Sequence, residues 1–198
     1  MLLPNELKVF EVFERMGKEA NTEESDIWAD GFTKPLFRGL RPEDGLIDIG
    51  CGHGRLVPIL PDLCIRREQY LGIDFSPEQI ALARRLYPKH RFEVRTIYEL
   101  STSYPGRFGG FWLGATLMLL PRERVPEALR SIRGALKPGA RGFISTPLGD
   151  HDGEVGDGIT IALYEIHEIK QMFSEAMLEP DIVFSPDDFM ILGSFTAA

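Results

Sequence analysis

The chain has 198 residues, of which 43% are hydrophobic and 26% are charged, and its formal net charge is -8. This length and composition suit one globular α/β domain with a sizeable core, so no second domain is required. The negative charge comes without a basic stripe that carries interleaved aromatic residues. The composition therefore argues against a nucleic-acid partner and favours a small-molecule or protein partner.

The cysteines and the amino terminus indicate the compartment. Cys51 and Cys64 are too few for a disulfide framework and fit a reducing environment. No apolar run approaches membrane-spanning length, and residues 1–8 lack a basic region followed by an apolar core. The sequence therefore predicts a cytoplasmic protein that makes no membrane contact.

Two segments precede the first predicted strand. Residues 5–18 place apolar side chains at helical spacing, which predicts an amphipathic helix that packs on a sheet or covers a ligand site. Residues 24–40 carry several aromatic and aliphatic side chains, among them Trp28. Trp28 either packs this segment onto the core, which is the commoner role of a tryptophan, or touches a ligand.

The most informative stretch is Leu46 to Arg55, Leu-Ile-Asp-Ile-Gly-Cys-Gly-His-Gly-Arg. An apolar run followed by three glycines predicts a buried parallel strand that turns sharply into a helix. Gly50, Gly52 and Gly54 lack a Cβ, so a nucleotide-like group could lie against the loop and reach the amides of the next helix. A nicotinamide dinucleotide would require glycine where Arg55 stands, which argues against an oxidoreductase.

A second acid follows at an informative spacing. Asp74 ends the next predicted strand and lies twenty residues after Gly54. At this spacing one helix and one strand return the chain to the same edge of a parallel sheet, where an acid can accept both ribose hydroxyls. Immediately afterwards, Ser76 is predicted to cap a helix, with Pro77 in its first position and Gln79 completing a capping box.

In Asp48-Ile-Gly-Cys-Gly-His-Gly54 and in Asp74, the sequence resembles the class I S-adenosylmethionine-dependent methyltransferases. The resemblance implies that the first acid and the glycine loop hold the methionine end and the ribose, and that Asp74 accepts the ribose hydroxyls. S-adenosyl-L-methionine would be the cofactor and S-adenosyl-L-homocysteine its product. The residues assigned to the cofactor are Asp48, Gly50, Cys51, Gly52, Gly54, Asp74, Phe75, Thr96, Ile97 and Gly114.

The adenine contacts rest on a looser match. The family places the residue after the second acid against adenine, which assigns Phe75, although a core aromatic has the same signature. Residues 91–97 alternate as a third strand. Many members end this strand with an acid that accepts from the adenine amino group, whereas here Thr96 or backbone groups beside Ile97 take that place.

The fourth strand, residues 110–116, departs from the small-molecule branch of the family at two positions. Gly109 stands where an acid is expected, and Leu119 stands near the usual histidine. Both departures are expected to remove polar groups from beside the transferring methyl. A helix then leads to a Lys-Pro-Gly turn and a fifth strand, residues 141–146, which is a further family mark.

The remaining third of the chain has weaker patterns. Residues 147–158 form an acid- and glycine-rich stretch, but Val155 stands where a calcium loop requires glycine, so no metal is expected and a flexible solvated loop is predicted. Residues 164–178 have helical spacing. Residues 182–185 and 189–195 are then predicted as the closing antiparallel strands.

These elements predict a three-layer α/β sandwich with a mostly parallel, Rossmann-like sheet of seven strands whose last strand is antiparallel. Residues 1–198 are expected to form a single methyltransferase-like domain, in which residues 1–45 are a helical lid or cap and residues 46–198 the core. The cofactor and acceptor sites are expected at the carboxyl edge of the sheet.

The predicted function is methyl transfer to a small-molecule acceptor by in-line displacement. Because the sulfonium already activates the methyl, alignment and desolvation of the nucleophile are the main requirements. The candidate bases are Tyr164, His167 and His151, with His53 as a further candidate, although each has an alternative role in packing, at the surface or in the loop. A non-catalytic regulatory protein that binds S-adenosylmethionine or S-adenosylhomocysteine stays open as an alternative, and no oligomeric state is indicated.

Overall fold

The structure is a computed structural model that describes residues 3–19, 37, 40, 41, 43–184 and 190–198, with the backbone alone described at Ile182. The predicted segment around Trp28 lies outside the described residues. The helices are α1 (Pro4–Lys18), α2 (Pro77–Leu86), α3 (Leu100–Ser103), α4 (Val125–Ala135) and α5 (Ile166–Glu175). The strands are β1 (Gly45–Ile49), β2 (Tyr70–Asp74), β3 (Phe92–Val94), β4 (Phe108–Gly114), β5 (Leu136–Pro147), β6 (Gly153–Val155), β7 (Ile159–Ile161), β8 (Leu178–Phe184) and β9 (Met190–Ala197).

Seven strands form the main sheet in the order β3-β2-β1-β4-β5-β9-β8. Strands β1 to β5 pair in parallel, whereas β9 runs antiparallel to both β5 and β8. This confirms the predicted α/β sheet with an antiparallel last strand. The chain order reverses between β1 and β4, and ligands of such sheets bind beyond the carboxyl ends of the strands at this point.

The central strands are buried on both faces. Every residue of β2 is buried, as is every residue of β1 after Gly45, which is the pattern of parallel strands covered by helices on both sides. One core cluster joins the sheet to α4 and α5, through Ile132 and Phe173 among others. A second joins it to α2 through Ile80. The strand ends at the carboxyl edge are thereby held in fixed positions.

The segment after the glycine loop differs from the prediction. Instead of a regular α-helix, the chain forms turns and a short 3-10 helix at Val57–Ile59. Pro58 and Pro61 explain the difference, because proline has no amide hydrogen to donate and disfavours the helical conformation of the residue before it. A ligand on this loop therefore meets turn amides rather than the end of a long helix.

The start of α2 confirms one half of the predicted cap. The Ser76 hydroxyl accepts a hydrogen bond from the Gln79 amide at 3.1 Å, as an N-cap should. The capping box is wrong, because the Ser76 amide donates to the carboxylate of Asp74 at 2.9 Å. The Gln79 side chain instead donates to the Phe13 carbonyl at 3.0 Å.

The acidic stretch predicted as a flexible loop contains a strand. Strand β6 pairs antiparallel with β7, and their turn uses positive φ at Asp157 (64°) and Gly158 (69°). The side chain of Asn5 bonds the backbone of Thr160 in both directions, at 2.9 and 3.3 Å. The hairpin is thus attached to α1, a long-range contact that no local pattern in the sequence indicates.

The carboxyl-terminal elements shift by a few residues. Helix α5 ends at Glu175 rather than near residue 178, and Met177 takes a positive φ of 61° that turns the chain into β8. Strand β8 consequently begins at Leu178, four residues before the prediction. In the described part of the chain, every helix is too short or too polar to cross a membrane.

Candidate functional site

A cavity of about 420 Å³ opens beyond the carboxyl ends of β1, β2 and β4. Its size lies within the usual range of small-molecule sites. The glycine loop, the start of α2, the end of β4, helix α1 and the β6–β7 hairpin all contribute to its wall. The site therefore lies at the edge of the sheet where the sequence predicts it.

The glycine loop is fixed by the end of β2. The amides of Gly50 and Cys51 both donate to the Ile73 carbonyl at 2.9 Å. The next amide, that of Gly52, donates to the Asp74 carboxylate at 2.9 Å. These bonds hold the two family motifs together, although 22 residues separate Gly52 from Asp74.

The three positions of the loop require glycine for different structural reasons. All take positive φ, but only at Gly52 would an added Cβ fit without a clash, with its nearest neighbour, the Gln79 side-chain oxygen, in ordinary contact at 3.7 Å. A Cβ at Gly50 would collide with the Thr116 side chain, and one at Gly54 would come within 2.9 Å of Tyr87. Gly52 is thus the position whose missing side chain leaves room in the cavity, whereas Gly54 does not line it.

Asp74 presents a buried carboxylate in the cavity wall. The residue is 4% exposed and accepts hydrogen bonds from the Gly52 and Ser76 amides, each at 2.9 Å. Burial raises the pKa of this carboxyl to about 6, although the amide hydrogen bonds act in the opposite direction. Each oxygen retains acceptor capacity for a further donor such as a ribose hydroxyl.

Asp48 is separated from the cavity. Its carboxylate accepts a hydrogen bond from the Tyr70 hydroxyl at 2.8 Å, and burial raises its pKa to about 7. Side chains alternate along a strand, and the neighbouring Ile49 is the β1 side chain that lines the cavity. The structure thus places Asp48 beneath the glycine loop, where it contacts Tyr70.

The remaining residues assigned to the cofactor do line the cavity. Phe75, Thr96, Ile97 and Gly114 lie in its wall, together with Cys51. Phe75 also makes an edge contact with the Phe10 ring of α1, with 5.6 Å between the ring centroids. Burial raises the pKa of the Cys51 thiol well above its usual value, which keeps it protonated and argues for a packing role.

Helix α1 forms one apolar wall through Val9, Val12, Phe13 and Met16. It is held against the start of α2 by Glu14, whose carboxylate accepts from the Ser76 hydroxyl at 2.5 Å and from the Glu78 amide at 3.0 Å. The predicted helix is thus present, and its apolar side chains line the cavity.

A buried ionic cluster at the other end of α1 was missed by sequence reasoning. Glu6 is 5% exposed, and its carboxylate accepts from the Tyr98 hydroxyl at 2.7 Å and from the Arg124 guanidinium at 3.0 and 3.1 Å. The guanidinium also lies 3.5 Å from the Tyr98 ring centroid. The partners are 92 and 118 residues from Glu6, so no local pattern could have revealed the cluster.

A further part of the wall comes from the hairpin and from the segment after β4. Ile159 and Ile161 pack with Val9 and Val12 of α1 in one apolar cluster, which Leu119 joins from its edge. Asp157, at the hairpin turn, pairs with Arg15 of α1 at 2.6 Å. An apolar chamber thus adjoins the polar glycine loop.

The two departures from the family pattern lie in different places. Leu119 lines the cavity, as expected from its position after β4. Gly109 lies near the amino end of β4, outside the cavity lining, and a Cβ there would approach Asp44 to 2.6 Å. The expectation that Gly109 removes a polar group from beside the methyl is therefore wrong.

The predicted bases Tyr164, His167 and His151 are not among the cavity-lining residues. His151 and His167 have side chains that are 80% and 72% exposed and lie beside Asp150 and Glu165. Tyr164 is fully buried under the Arg122 guanidinium, 4.6 Å from its ring centroid, and its hydroxyl has no partner among the described residues. The structure does not bring these three groups to the glycine loop.

His53, by contrast, lines the cavity. Its imidazole is about half-buried, and burial, followed by the charge of Arg55, lowers its pKa. A lowered pKa favours the neutral form of the ring. Among the described residues, no group of three or more acidic, histidine or cysteine side chains could hold a metal ion.

Part of the chain is similar to a known protein family. Residues 46–139 match the family described as a methyltransferase domain. The matched region begins in β1 and ends after α4, so it contains the glycine loop, Asp74 and the strands that carry the cavity.

Two curated relatives are methyltransferases of different kinds. The ribosomal protein L11 methyltransferase of Paraburkholderia phytofirmans is 30% identical over 138 residues, which cover 67% of this chain and 43% of that protein. The 27-O-demethylrifamycin SV methyltransferase of Amycolatopsis mediterranei is 27% identical over 158 residues, covering 72% and 56%. The chain thus spans about half the length of the curated relatives it matches.

A similar solved structure is the 1,6-didemethyltoxoflavin-N1-methyltransferase of Burkholderia thailandensis, which contains 1,6-didemethyltoxoflavin and S-adenosylhomocysteine. The TM-score is 0.75 over 100% of this chain and 92% of that one, with 18% sequence identity. This likeness shows that the two proteins share a fold.

Proposed function

We propose that the chain, whose residues 46–139 match a methyltransferase domain, transfers a methyl group from S-adenosylmethionine to a small-molecule acceptor. The observation that carries the proposal is the bare backbone of Gly52 in the cavity wall, where a Cβ would meet no clash and where the Gly52 amide bonds the Asp74 carboxylate. A bare backbone next to a buried acceptor suits a ribose with two hydroxyl donors.

The residues present fit the cofactor. Asp74 would accept the ribose hydroxyls, and the backbone of Gly50 and Gly52 would lie along the methionine half. Phe75 with Thr96 and Ile97 would hold the adenine. Asp48 would act indirectly, by its bond to Tyr70 beneath the loop. When bound, S-adenosylmethionine supplies a methyl group that its positive sulfur has already activated.

The protein's own contribution would be alignment and exclusion of water. Helix α1 and the β6–β7 hairpin cover the cavity with apolar side chains, and a dry site brings the reacting groups together without a solvent shell. In the proposed domain organisation, α1 is part of the cover over the cavity. Where the acceptor must lose a proton, His53 would be the candidate base, since it lies in the cavity wall.

The acceptor is proposed to have an apolar body with a cationic or neutral polar end. The chamber beyond the glycine loop is lined by Val9, Val12, Leu119 and Ile161, which suits an apolar body. The chain's charge of -8 disfavours a phosphate-rich acceptor. The curated relatives are named for a ribosomal protein and for a rifamycin, so their names do not decide between acceptor classes.

Titration calorimetry with S-adenosylhomocysteine, followed by transfer of labelled methyl into a small-molecule extract, tests the proposal. We expect binding with one site per chain and incorporation of label into an organic-soluble product. Absence of binding would contradict the cofactor assignment. Binding without turnover across diverse extracts would instead favour the regulatory alternative.

A further inference from the structure

The side chain of Gln79 carries a buried acceptor that the protein leaves unused. Gln79 is 2% exposed and lines the cavity from the first turn of α2. Its Oε1 is buried and accepts no hydrogen bond from any described residue. A buried amide oxygen without a donor costs about 1–3 kcal/mol, so its retention calls for an explanation.

The orientation of this amide is determined by its neighbour. The nitrogen donates to the Phe13 carbonyl of α1 at 3.0 Å, and a carbonyl can only accept. The nitrogen must therefore face α1, which leaves the oxygen on the side of the glycine loop. It lies 3.7 Å from the position that a Cβ of Gly52 would occupy.

A ligand that lies against Gly52 would place a donor within reach of this oxygen. We propose that Gln79 is a two-sided contact, whose nitrogen holds α1 through Phe13 and whose oxygen accepts a hydrogen bond from the bound S-adenosyl cofactor. The donor is a hydroxyl or an ammonium group, since both occur on the cofactor. This inference rests on the proposed function and adds a residue that connects the cofactor to the helix covering it.

The proposal predicts a separation between affinity and stability. In Gln79→Met, the side chain keeps its approximate length but loses the acceptor, so affinity for S-adenosylhomocysteine should fall about threefold to tenfold. Unfolding without ligand should change little, because the variant loses one hydrogen bond to Phe13 but also removes an unpaired buried oxygen. Gln79→Leu serves as a second replacement should the methionine variant fail to fold.

Glu14→Ala is the matched control. Glu14 ties α1 to the start of α2 but does not line the cavity. Its loss should lower ligand-free stability more than Gln79→Met does and reduce the affinity less. Equal losses of affinity in the two variants would overturn a direct contact, since loosened docking of α1 would then explain both.

Two further measurements complete the test. Adenosine carries the ribose hydroxyls but no ammonium group. If Gln79→Met leaves the affinity for adenosine unchanged, the donor is the ammonium group. If Gln79→Met reduces the affinity for adenosine, the donor is a hydroxyl. Hydrogen exchange of α1 amides should slow when S-adenosylhomocysteine binds the wild type, and slow less in the variant. Unchanged affinity of Gln79→Met for S-adenosylhomocysteine would overturn the inference, whereas a wild type that does not bind it would overturn the proposed function itself.

Discussion

At the scale of single residues, the fold and the proposed ligand favour different protonation states of Asp74. Burial disfavours its charge and raises its pKa from 3.8 to about 6, yet a carboxylate is the stronger acceptor for ribose hydroxyls. Because the pKa is higher in the folded than in the unfolded chain, this group stabilises the fold at low pH, and that stability is lost as the pH rises through about 6. The affinity for the cofactor should instead increase as the pH rises through this pKa.

We therefore expect affinity for S-adenosylhomocysteine to be full above about pH 7 and to fall as the pH drops through about 6. Calorimetry between about pH 5 and about pH 8 measures the effect. Asp74→Asn should lack this pH dependence. Asp74→Ala should cost roughly 1.5 to 3 kcal/mol of binding at neutral pH. Unchanged affinity in the alanine variant would contradict the ribose assignment.

Substitutions at Gly52 and Gly50 are expected to affect cofactor binding and folding to different extents. Gly52→Val would fill cavity space, so we expect loss of cofactor binding with a stability cost of about 1–2 kcal/mol from its φ of 53°. Gly50→Ala would also collide with Thr116 and should cost more stability. Thermal unfolding and calorimetry of both variants check this. If Gly52→Val lost binding only through loss of folding, the glycine would be structural.

At the scale of elements, the sequence was most informative where backbone chemistry is local. The glycine loop, Asp74 and the Ser76 cap lie where their patterns predicted them, because positive φ, strand length and helix capping are decided by neighbouring residues. The helix expected after the loop is absent because Pro58 and Pro61 disfavour a regular α-helix in this segment. Two prolines three residues apart indicate an interrupted helix, and this signal is present in the sequence.

Contacts between distant segments could not be predicted in the same way. The acids of residues 147–158 indicated a solvated loop, but pairing of β6 with β7 and attachment to α1 depend on the tertiary fold. The candidate bases show the same limit, since His151 and His167 proved exposed and Tyr164 buried away from the cavity. A lone titratable residue in a sequence gives no information on where its side chain points.

The Glu6 cluster leads to a prediction about helix α1. Glu6→Ala would remove the buried carboxylate partner of Arg124, whose side chain is 20% exposed, and leave it only the exposed carboxylate of Glu127 at 3.1 Å. We expect a stability loss of about 2 kcal/mol, below the usual range for a fully buried pair because Arg124 retains some water contact. Faster hydrogen exchange in α1 should accompany it. Glu11→Ala, on an exposed position of the same helix, is the control, and equal exchange in both variants would contradict the anchoring role.

At the scale of the whole molecule, the cavity is formed by segments that are far apart in the chain. The sheet brings the ends of β1, β2 and β4 together at its switch point, while α1 and the hairpin approach from outside. Variation in the cover can therefore change the acceptor while the cofactor side is maintained, as is general for sites placed on common folds.

Three acidic side chains near the hairpin are expected to attract a cationic acceptor electrostatically. Asp150, Asp152 and Glu154 precede or lie in β6, next to Val155 and its cavity-lining neighbours. Asp152 pairs with Arg122 at 2.8 Å, so its charge is partly compensated, whereas the Asp150 side chain is 79% exposed. Replacing all three acids by their amides should raise the KM of a cationic acceptor about twofold to fivefold at low salt.

This effect should nearly vanish at high salt, because exposed charges are screened beyond about 3 Å at 1 M ionic strength. Affinity for S-adenosylhomocysteine should stay unchanged in the same variant, since none of the three acids lines the cavity. Amide replacement of Glu43, Asp62 and Glu68, which are exposed and also outside the lining, changes the net charge equally and serves as the control. An equal rise in KM for both triple variants would assign the effect to net charge, and a preferred acceptor bearing phosphate would contradict electrostatic attraction by the hairpin.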